Sequence, residues 1–412
     1  MASPEQVGKA EQVVPLWRNL RFQALWGGAA TSMLGTQIAD TAYPLLLLAM
    51  TGSSTLAGAF GALQIGASLV FGIHGGAAAD RYDRRRVLMI VDSVRLLATV
   101  SVPLALWLGR LTVVHTLLVA VVIGGSIAYG GPSRMLALRS VVPPQQLRQA
   151  LAQEEARMSA AGLIGPPLAG LLFGLGRAVP FVGTALASLL SLAAACAVRL
   201  PARSDAGSGD GPARGGALAG FRHLAGDRTL RSTLAVVFGI NLTGSAMLLP
   251  MIVLLRGHGT SSGGIGLALA GEAVGAIAGA FLVGRLHRLA GPGRLLLGVA
   301  WLCVPLLLAP LLPGGAVTVF AALAAVGLGV PALRVMIDLL VFQQVAEDLR
   351  GRVVAATMTV LMLGMPAGLL GSGLLLDHLA PAATLTVLAA LLVAGLLPAT
   401  HNRALRNAAW PA

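Results

Sequence analysis

The chain has 412 residues, of which 56% are hydrophobic and only 11% charged, and its mean hydropathy is +0.82. Soluble domains average about 45–50% apolar and about 25% charged residues, so a soluble globular or disordered protein is excluded. The formal net charge of +13 is carried almost wholly by arginine, with Lys9 the sole lysine. Because those arginines sit in short loops between apolar runs, they mark topology and anionic headgroups, and no nucleic-acid partner is expected.

Residues 1–22 form a polar tail ending in LWRNLRF. Its first apolar run is too long for a signal-peptide core, and no cleaved leader is expected. Apolar runs of roughly 20 residues, the length that crosses about 30 Å of hydrocarbon, then recur along the chain. They predict twelve spans, at 23–49, 56–78, 87–108, 112–135, 153–175, 179–198, 233–255, 263–283, 293–312, 315–339, 353–376 and 383–400. Backbone groups cannot go unpaired in lipid, so these are helices and the fold class is all-α, polytopic membrane protein. Domains follow as a first six-helix half over 23–198, a linker over 199–232, a second half over 233–400 and a tail over 401–412. The linker reads PARSDAGSGDGPARGGALAG, rich in Gly, Ala, Ser and Pro, and lies at the chain midpoint.

The arginines orient the bundle. With twelve spans, loops on the side of both termini hold more than a dozen of them, from Arg81 to Arg352, against Arg110, Arg177 and Arg256 on the other side. The positive-inside rule then places both termini in the cytoplasm of a bacterium, with the chain multi-pass in the plasma (inner) membrane.

An internal repeat supports two pseudo-symmetric halves. VVPPQQLRQALAQEEARMSAAGLIGPPLAGLL from Val141 resembles FQQVAEDLRGRVVAATMTVLMLGMPAGLLGSG from Phe342, with Pro166 falling near Pro366. Small-residue pairs at four-residue spacing predict close helix contacts at Gly72/Gly76, Gly170/Gly174, Gly271/Gly275/Gly279 and Gly364/Gly368. Cys196 and Cys303 read as small buried hydrophobes, with no disulfide or metal spacing. No metal or other cofactor is expected.

Polar residues within the spans point to chemistry, because an ionised carboxylate at mid-membrane costs roughly 2.5–3.5 kcal/mol. Asp40, in GTQIADTAYPLL of the first span, and Glu272, in LALAGEAVGAIAG of the eighth, are the two candidates for carrying a coupling proton or meeting a cationic substrate. Either could instead be a neutral or hydrogen-bonded helix contact. Gln37, Tyr43 and Asn241 are further candidates for lining the cavity. His74, near the end of the second span, reads first as a packed or hydrated residue. Asp92 and Arg95, a turn apart in the third span, can pair with each other or with the Asp80 cluster. Glu154, Glu155 and Arg157 read as a solvated cluster. No GxxxxGK[ST], HExxH or GxSxG sequence occurs, so ATP-driven and hydrolytic chemistry have no support.

The densest charge cluster is Gly76–Arg86, GAAADRYDRRR, between the second and third spans. It resembles motif A of the major facilitator superfamily, roughly G-x-x-x-D-R-x-G-R-R, with Gly76, Asp80, Arg81, Arg84 and Arg85 on the pattern and Asp83 where the family has Gly. DRYDRRRVLMIVDSVR, WRNLRFQALW and EDLRGRVVAA are similar to the macrolide-efflux-like branch of its drug:proton antiporters. GPPLAG, with Gly165, Pro166 and Gly170, resembles the antiporter motif. The fourth span lacks the mid-membrane arginine of other branches, and Arg288 lies roughly opposite Asp80 in the second half. The resemblance implies a secondary transporter of the major facilitator fold that exports a small amphipathic organic compound (drug, siderophore or pathway product) against protons. Its partners would be that substrate, protons and membrane lipids, and it would act as a monomer. Asp80, with its arginines, Asp92 and Arg95, would gate the cytoplasmic side against the eleventh span. The alternatives are a proton-coupled importer or facilitator on the same fold and a transport-inactive receptor or scaffold; an enzyme is not expected.

Overall fold

The computed structural model describes residues 15–198, 226, 228–289, 291–344 and 347–406. The expected tail over 1–14, most of the expected linker and residues 407–412 lie outside them. The helices are α1 Leu20–Thr51, α2 Ser54–Arg81, α3 Arg84–Trp107, α4 Val113–Val141, α5 Leu147–Leu175, α6 Val179–Ala197, α7 Arg228–Gly257, α8 Ser262–Leu269, α9 Gly271–Leu289, α10 Pro292–Leu308, α11 Ala316–Gln344, α12 Glu347–His378, α13 Pro381–His401 and the short α14 Arg403–Arg406. Helix α7 therefore begins inside the segment expected to be linker.

Ten helical stretches among the described residues are long and apolar enough to cross a membrane, and Ala316–Pro331 is a shorter apolar one. Helix α1 is long enough but is not among the ten, because Thr36, Gln37, Asp40 and Thr41 interrupt its apolar run. The eighth predicted span is broken at Ala270 into α8 and α9, immediately before Glu272.

Polar side chains start the helices. Asn19 accepts from the Phe22 N–H and also donates to the Val141 carbonyl, tying the start of α1 to the end of α4. Ser53, Asp83, Thr112 and Ser261 cap α2, α3, α4 and α8 in the same way. Gly52, at φ 70°, stops α1 in the left-handed conformation that lets the chain reverse into α2.

Packing repeats across the chain. Helix α1 packs on α5 and α6, α2 on α4, and α3 on α4 and α6; α7 packs on α12 and α13, α8 and α9 on α11, and α10 on α11 and α13. Prolines inside the helices recur at a spacing of roughly 200 residues, as Pro103 with Pro305, Pro132 with Pro331 and Pro166 with Pro366. Duplicated six-helix units of this kind build one class of membrane transporter.

The expected glycine contacts divide. A Cβ at Gly271, Gly275 or Gly279 would overlap the α11 backbone at Phe320, Ala324 or Leu328, and Gly364 and Gly368 lie as closely on α7 at Phe238 and Leu242. Gly170 lies on Ser262, whereas Gly174, Gly72 and Gly76 have nothing within 4 Å. In α2 the tight approach to α4 is made by Gly75, against Ala128, instead. Cys303 is buried, but Cys196 is exposed, because it continues the outward face of α6 marked by Val182, Leu186 and Leu189.

Two seams join the first six helices to the rest, α2 with α12 and α5 with α8 and α9. The first is closed at one end only. Near the start of α2, a Cβ at Gly58 would overlap the Leu369 carbonyl, and Gly373 abuts Ser54. Continuing along the same face of α2, a Cβ at Gly72 or Gly76 would meet nothing within 4 Å among the described residues. On α12, Met358 and Met362 share the face of Leu369 and Gly373, yet each is 40% exposed. The two helices therefore diverge toward the arginine-rich end of the bundle.

Candidate functional site

Asp40 and Gln64 form the centre of the site. The two side chains meet where antiparallel α1 and α2 run side by side, and Gln64 Nε2 donates to Asp40 Oδ1 at 2.9 Å. One turn along, Tyr43 stacks on Phe60 with ring centroids 4.2 Å apart and lies against Phe181 at 4.7 Å. Gln64 is buried, and its Oε1 has no hydrogen-bond partner among the described residues. An orphaned buried acceptor costs roughly 1–3 kcal/mol, and such groups concentrate where chemistry is done. Asp40 itself keeps part of its surface accessible. The pair is thus an acceptor-rich, donor-poor group suited to receive a proton or a cationic N–H.

Gln37, a turn before Asp40, packs against α5. A Cβ at Gly165 would overlap the Gln37 Cβ, and the Gln37 amide lies beside Gly162. Gly162 in turn faces Ala273 of α9, the residue after Glu272. Glu272 is exposed. On the helical surface it lies away from Leu267, Val274 and Phe281, which are 60%, 38% and 82% exposed at seven-residue spacing and form the lipid-facing stripe of α8 and α9. Glu272 therefore turns toward the interior, one carboxyl from each set of helices reaching the level of Gln37 and Gly162.

Tyr43 does not line this space: it is fully buried in the aromatic cluster, and its hydroxyl has no partner among the described residues. Asn241 is half-buried, with its Cβ against Gly364 of α12. The antiporter-like segment forms a seam. Beyond Gly165, the Pro166 carbonyl meets Gly266 and Gly170 meets Ser262, both on α8, so the small residues bring α5 and α8 together at the closed end.

The charges of α3 take partners other than those expected. Asp92, 2% exposed, accepts from Arg134 of α4 at 2.6 Å and from Ser191 of α6 at 2.9 Å. Arg95, also buried, donates to the Ser32 hydroxyl at 2.6 Å, the Ser32 carbonyl at 3.0 Å and Ser188 at 3.4 Å. The expected Asp92–Arg95 or Asp92–Asp80-cluster pairing is not formed, because α4 and α6 supply the partners of Asp92 and α1 and α6 those of Arg95. Arg134, at the margin of the predicted fourth span, lies within α4, which runs on to Val141. Glu154 and Arg157 bond each other as a part-buried pair, not a solvated cluster.

At the arginine-rich end, Gly76 is open, and Asp80, Arg81 and Tyr82 are exposed. Asp80 makes no hydrogen bond or ion pair among the described residues, and His74 is exposed. Asp83, the departure from the motif, accepts from the Arg86 N–H at 2.8 Å and caps α3. Arg85 donates to the Cys196 carbonyl at 2.6 Å, a cation at the negative end of α6. A hollow of about 670 Å³ lies on the flank of α2, α3 and α4 between Phe71, Ile90 and Tyr129, and holds none of the intramembrane acids.

Gln64 and Arg134 are the partners that sequence reasoning missed. A lone glutamine in an apolar run is a polar-in-membrane signal of the kind that singled out Asp40, and it would have found Gln64.

A bundle of apolar helices with repeated packing, two inter-half seams and acids turned inward is the architecture of a transporter. Residues 25–369 match the Major Facilitator Superfamily, and the chain belongs to that family, a family of transporters and not of enzymes. Over 392 residues it is 30% identical to the multidrug efflux pump Tap of Mycobacterium tuberculosis, covering 90% of this chain and 91% of that protein. It is 24% identical over 381 residues to macrolide efflux protein A of Streptococcus pyogenes, covering 88% and 91%. The crystal structure of the nucleoside transporter NupG superimposes with a TM-score of 0.71 at 14% identity, over 93% of this chain and 98% of that one, which shows the shared fold.

Proposed function

We propose that the protein is a proton-coupled exporter of small amphipathic organic compounds, working by alternating access in the bacterial plasma membrane. Two six-helix units, divided in the 199–232 segment, rock about Asp40, Gln64 and Glu272. The observation that carries this reading is the one-ended seam: α2 and α12 touch at Gly58 and Leu369 and stand apart at Gly72, Gly76, Met358 and Met362. A passage closed at one end beside intramembrane acids is what alternating access requires. The arginine asymmetry supports a cytoplasmic location for the open end and both termini, and so an inward-facing conformation. The likeness to Tap and to macrolide efflux protein A supports efflux and bulky amphipathic cargo.

Within this scheme Asp40 and Glu272 alternate between a proton and the cationic group of a substrate. Asp80 and its arginines close the cytoplasmic end by meeting the N-terminus of α12 in the opposite conformation, where the helix dipole favours a carboxylate. The chain works as a monomer, with lipid headgroups on its cytoplasmic arginines.

Purified protein in proteoliposomes with an imposed pH gradient, screened against macrolides and other amphipathic antibiotics, tests the proposal. Gradient-dependent movement of at least one compound is expected, lost in Asp40→Asn and reduced about tenfold or more in Glu272→Gln. Undiminished gradient-driven transport in both variants would remove the acids from the mechanism.

A further inference from the structure

At the closed end, one carboxylate crosses the seam between the two sets of helices. Asp377, at the C-terminal end of α12, accepts from the Ser54 N–H at 2.7 Å, the Thr55 N–H at 3.2 Å and the Ser53 hydroxyl at 2.9 Å. Ser53 is itself the N-cap of α2, accepting from the Leu56 N–H at 3.3 Å. The first turn of α2 thus has its free N–H groups satisfied partly by its own cap and partly by an acid from the other half of the molecule. Immediately inside this contact, Gly373 abuts Ser54 and Gly58 abuts Leu369, so the two helices approach to backbone contact here.

We infer that Asp377 is the positioning residue that latches the closed end, acting as an N-terminal cap of α2 supplied from α12. Three donors converge on one carboxylate at the positive end of a helix dipole, and two of them are backbone N–H groups that side-chain substitution cannot remove. The contact exists only while the halves are closed at this end. Opening would expose the first turn of α2 and leave Asp377, already exposed here, with water alone as its partner, so the latch favours the conformation seen here by a modest, reversible amount. It also has a directional logic. In the proposed cycle Asp80, at the C-terminal end of α2, meets the start of α12, whereas here Asp377, at the C-terminal end of α12, meets the start of α2. The same two antiparallel helices would exchange one acid-to-N-terminus contact for the other. The inference rests on the alternating-access reading and adds the residue that holds the second gate.

The test uses spin labels on exposed residues of the two sets of helices at the closed end, at Arg110→Cys and Leu312→Cys, with Cys196→Ser and Cys303→Ala as background. Double electron–electron resonance on the full-length protein in nanodiscs reads the separation. Asp377→Ala is expected to raise the ratio of the long to the short distance about fivefold, the scale of an anion at a helix N-terminus. Asp377→Glu should restore most of the short population, and Asp377→Asn should not, because its amide hydrogens would face N–H donors. An unchanged distance distribution in a folded Asp377→Ala variant overturns the latch, and so does a fall in melting temperature alone. Asp80→Asn separates the two levels of the argument. If it shifts the same distances toward the short form while Asp377→Ala does nothing, the latch falls and alternating access stands. If neither variant moves them, both readings fall.

Discussion

The two ends of α2 meet the other half of the molecule in opposite ways. At its start the helix is pressed to backbone contact with α12 and capped by Asp377; at its end a Cβ at Gly76 would meet nothing within 4 Å among the described residues, and Asp80 is exposed. One helical face runs the whole way, from Ser54 through Gly58 and Gly61 to Gly72 and Gly76. The small residues are therefore spaced for close approach along their full length, although only the first of them are in contact. In the proposed cycle this one helix serves the two seams in turn. It also requires the six helices behind it to hold their shape while the seam opens and closes.

That rigidity is the first thing to break. Asp92 is held between Arg134 and Ser191 inside the first set of helices, away from either seam. Removing one partner of a buried ion pair leaves an uncompensated charge and costs about 3–5 kcal/mol. Arg134→Leu should lower the melting temperature in detergent by several degrees, and Asp92→Asn combined with it should recover part of the loss. A wild-type melting temperature in Arg134→Leu would show that the pair is not what stiffens the unit.

The closed end comes next. A side chain at Gly58 has no space against the Leu369 carbonyl, and overpacking a close contact costs about 1–3 kcal/mol. Gly58→Leu should wedge the seam apart, lengthen the spin-label distance across that end and cut transport at least tenfold. Unaltered transport would mean the contact is not part of the cycle.

Much of this architecture is legible in the chain. Helix positions follow from run length, since lipid leaves the backbone no alternative to helix or closed barrel. Asp40 and Glu272 stand out because a carboxyl in an apolar run needs a reason, and the structure turns both inward. What cannot be read is which way each helix faces. A span that is apolar all round carries almost no amphipathic signal, so nothing distinguished Gly75, which touches α4, from Gly72 and Gly76, which face open space. For the same reason, Asp92 was matched with its neighbour in sequence, Arg95, and not with Arg134 on another helix. Asp83 is a different case: Asp just before a helix is a legible cap signal, although against the family motif the same residue is only a mismatch. Asp377 lay past the margin of its predicted span, where one carboxylate is usually solvated.

At the open end the effects should be smaller and should appear in rate before stability. Asp80 is exposed and makes no ion pair among the described residues, so Asp80→Asn removes nothing they contribute to this conformation. Its melting temperature should match the wild type, while transport falls several-fold because the alternative closure loses its carboxylate. Wild-type transport by folded Asp80→Asn would exclude a gate at this residue.

Gly76 gives the finest test. In the present conformation a methyl group there meets nothing within 4 Å, so Gly76→Ala is expected to be silent in stability, or slightly favourable, since alanine loses less backbone freedom than glycine in a helix. In the opposite conformation the same face must lie against α12 as closely as Gly58 does now, and a methyl group would intrude. Gly76→Ala should therefore slow transport by about two- to fivefold without lowering the melting temperature, and Gly76→Leu should slow it further. Both should also increase the fraction closed at the Asp377 end. If the larger side chain leaves rate and spin-label distances untouched, the two ends of α2 do not alternate, and the glycine spacing along that face has no part in transport.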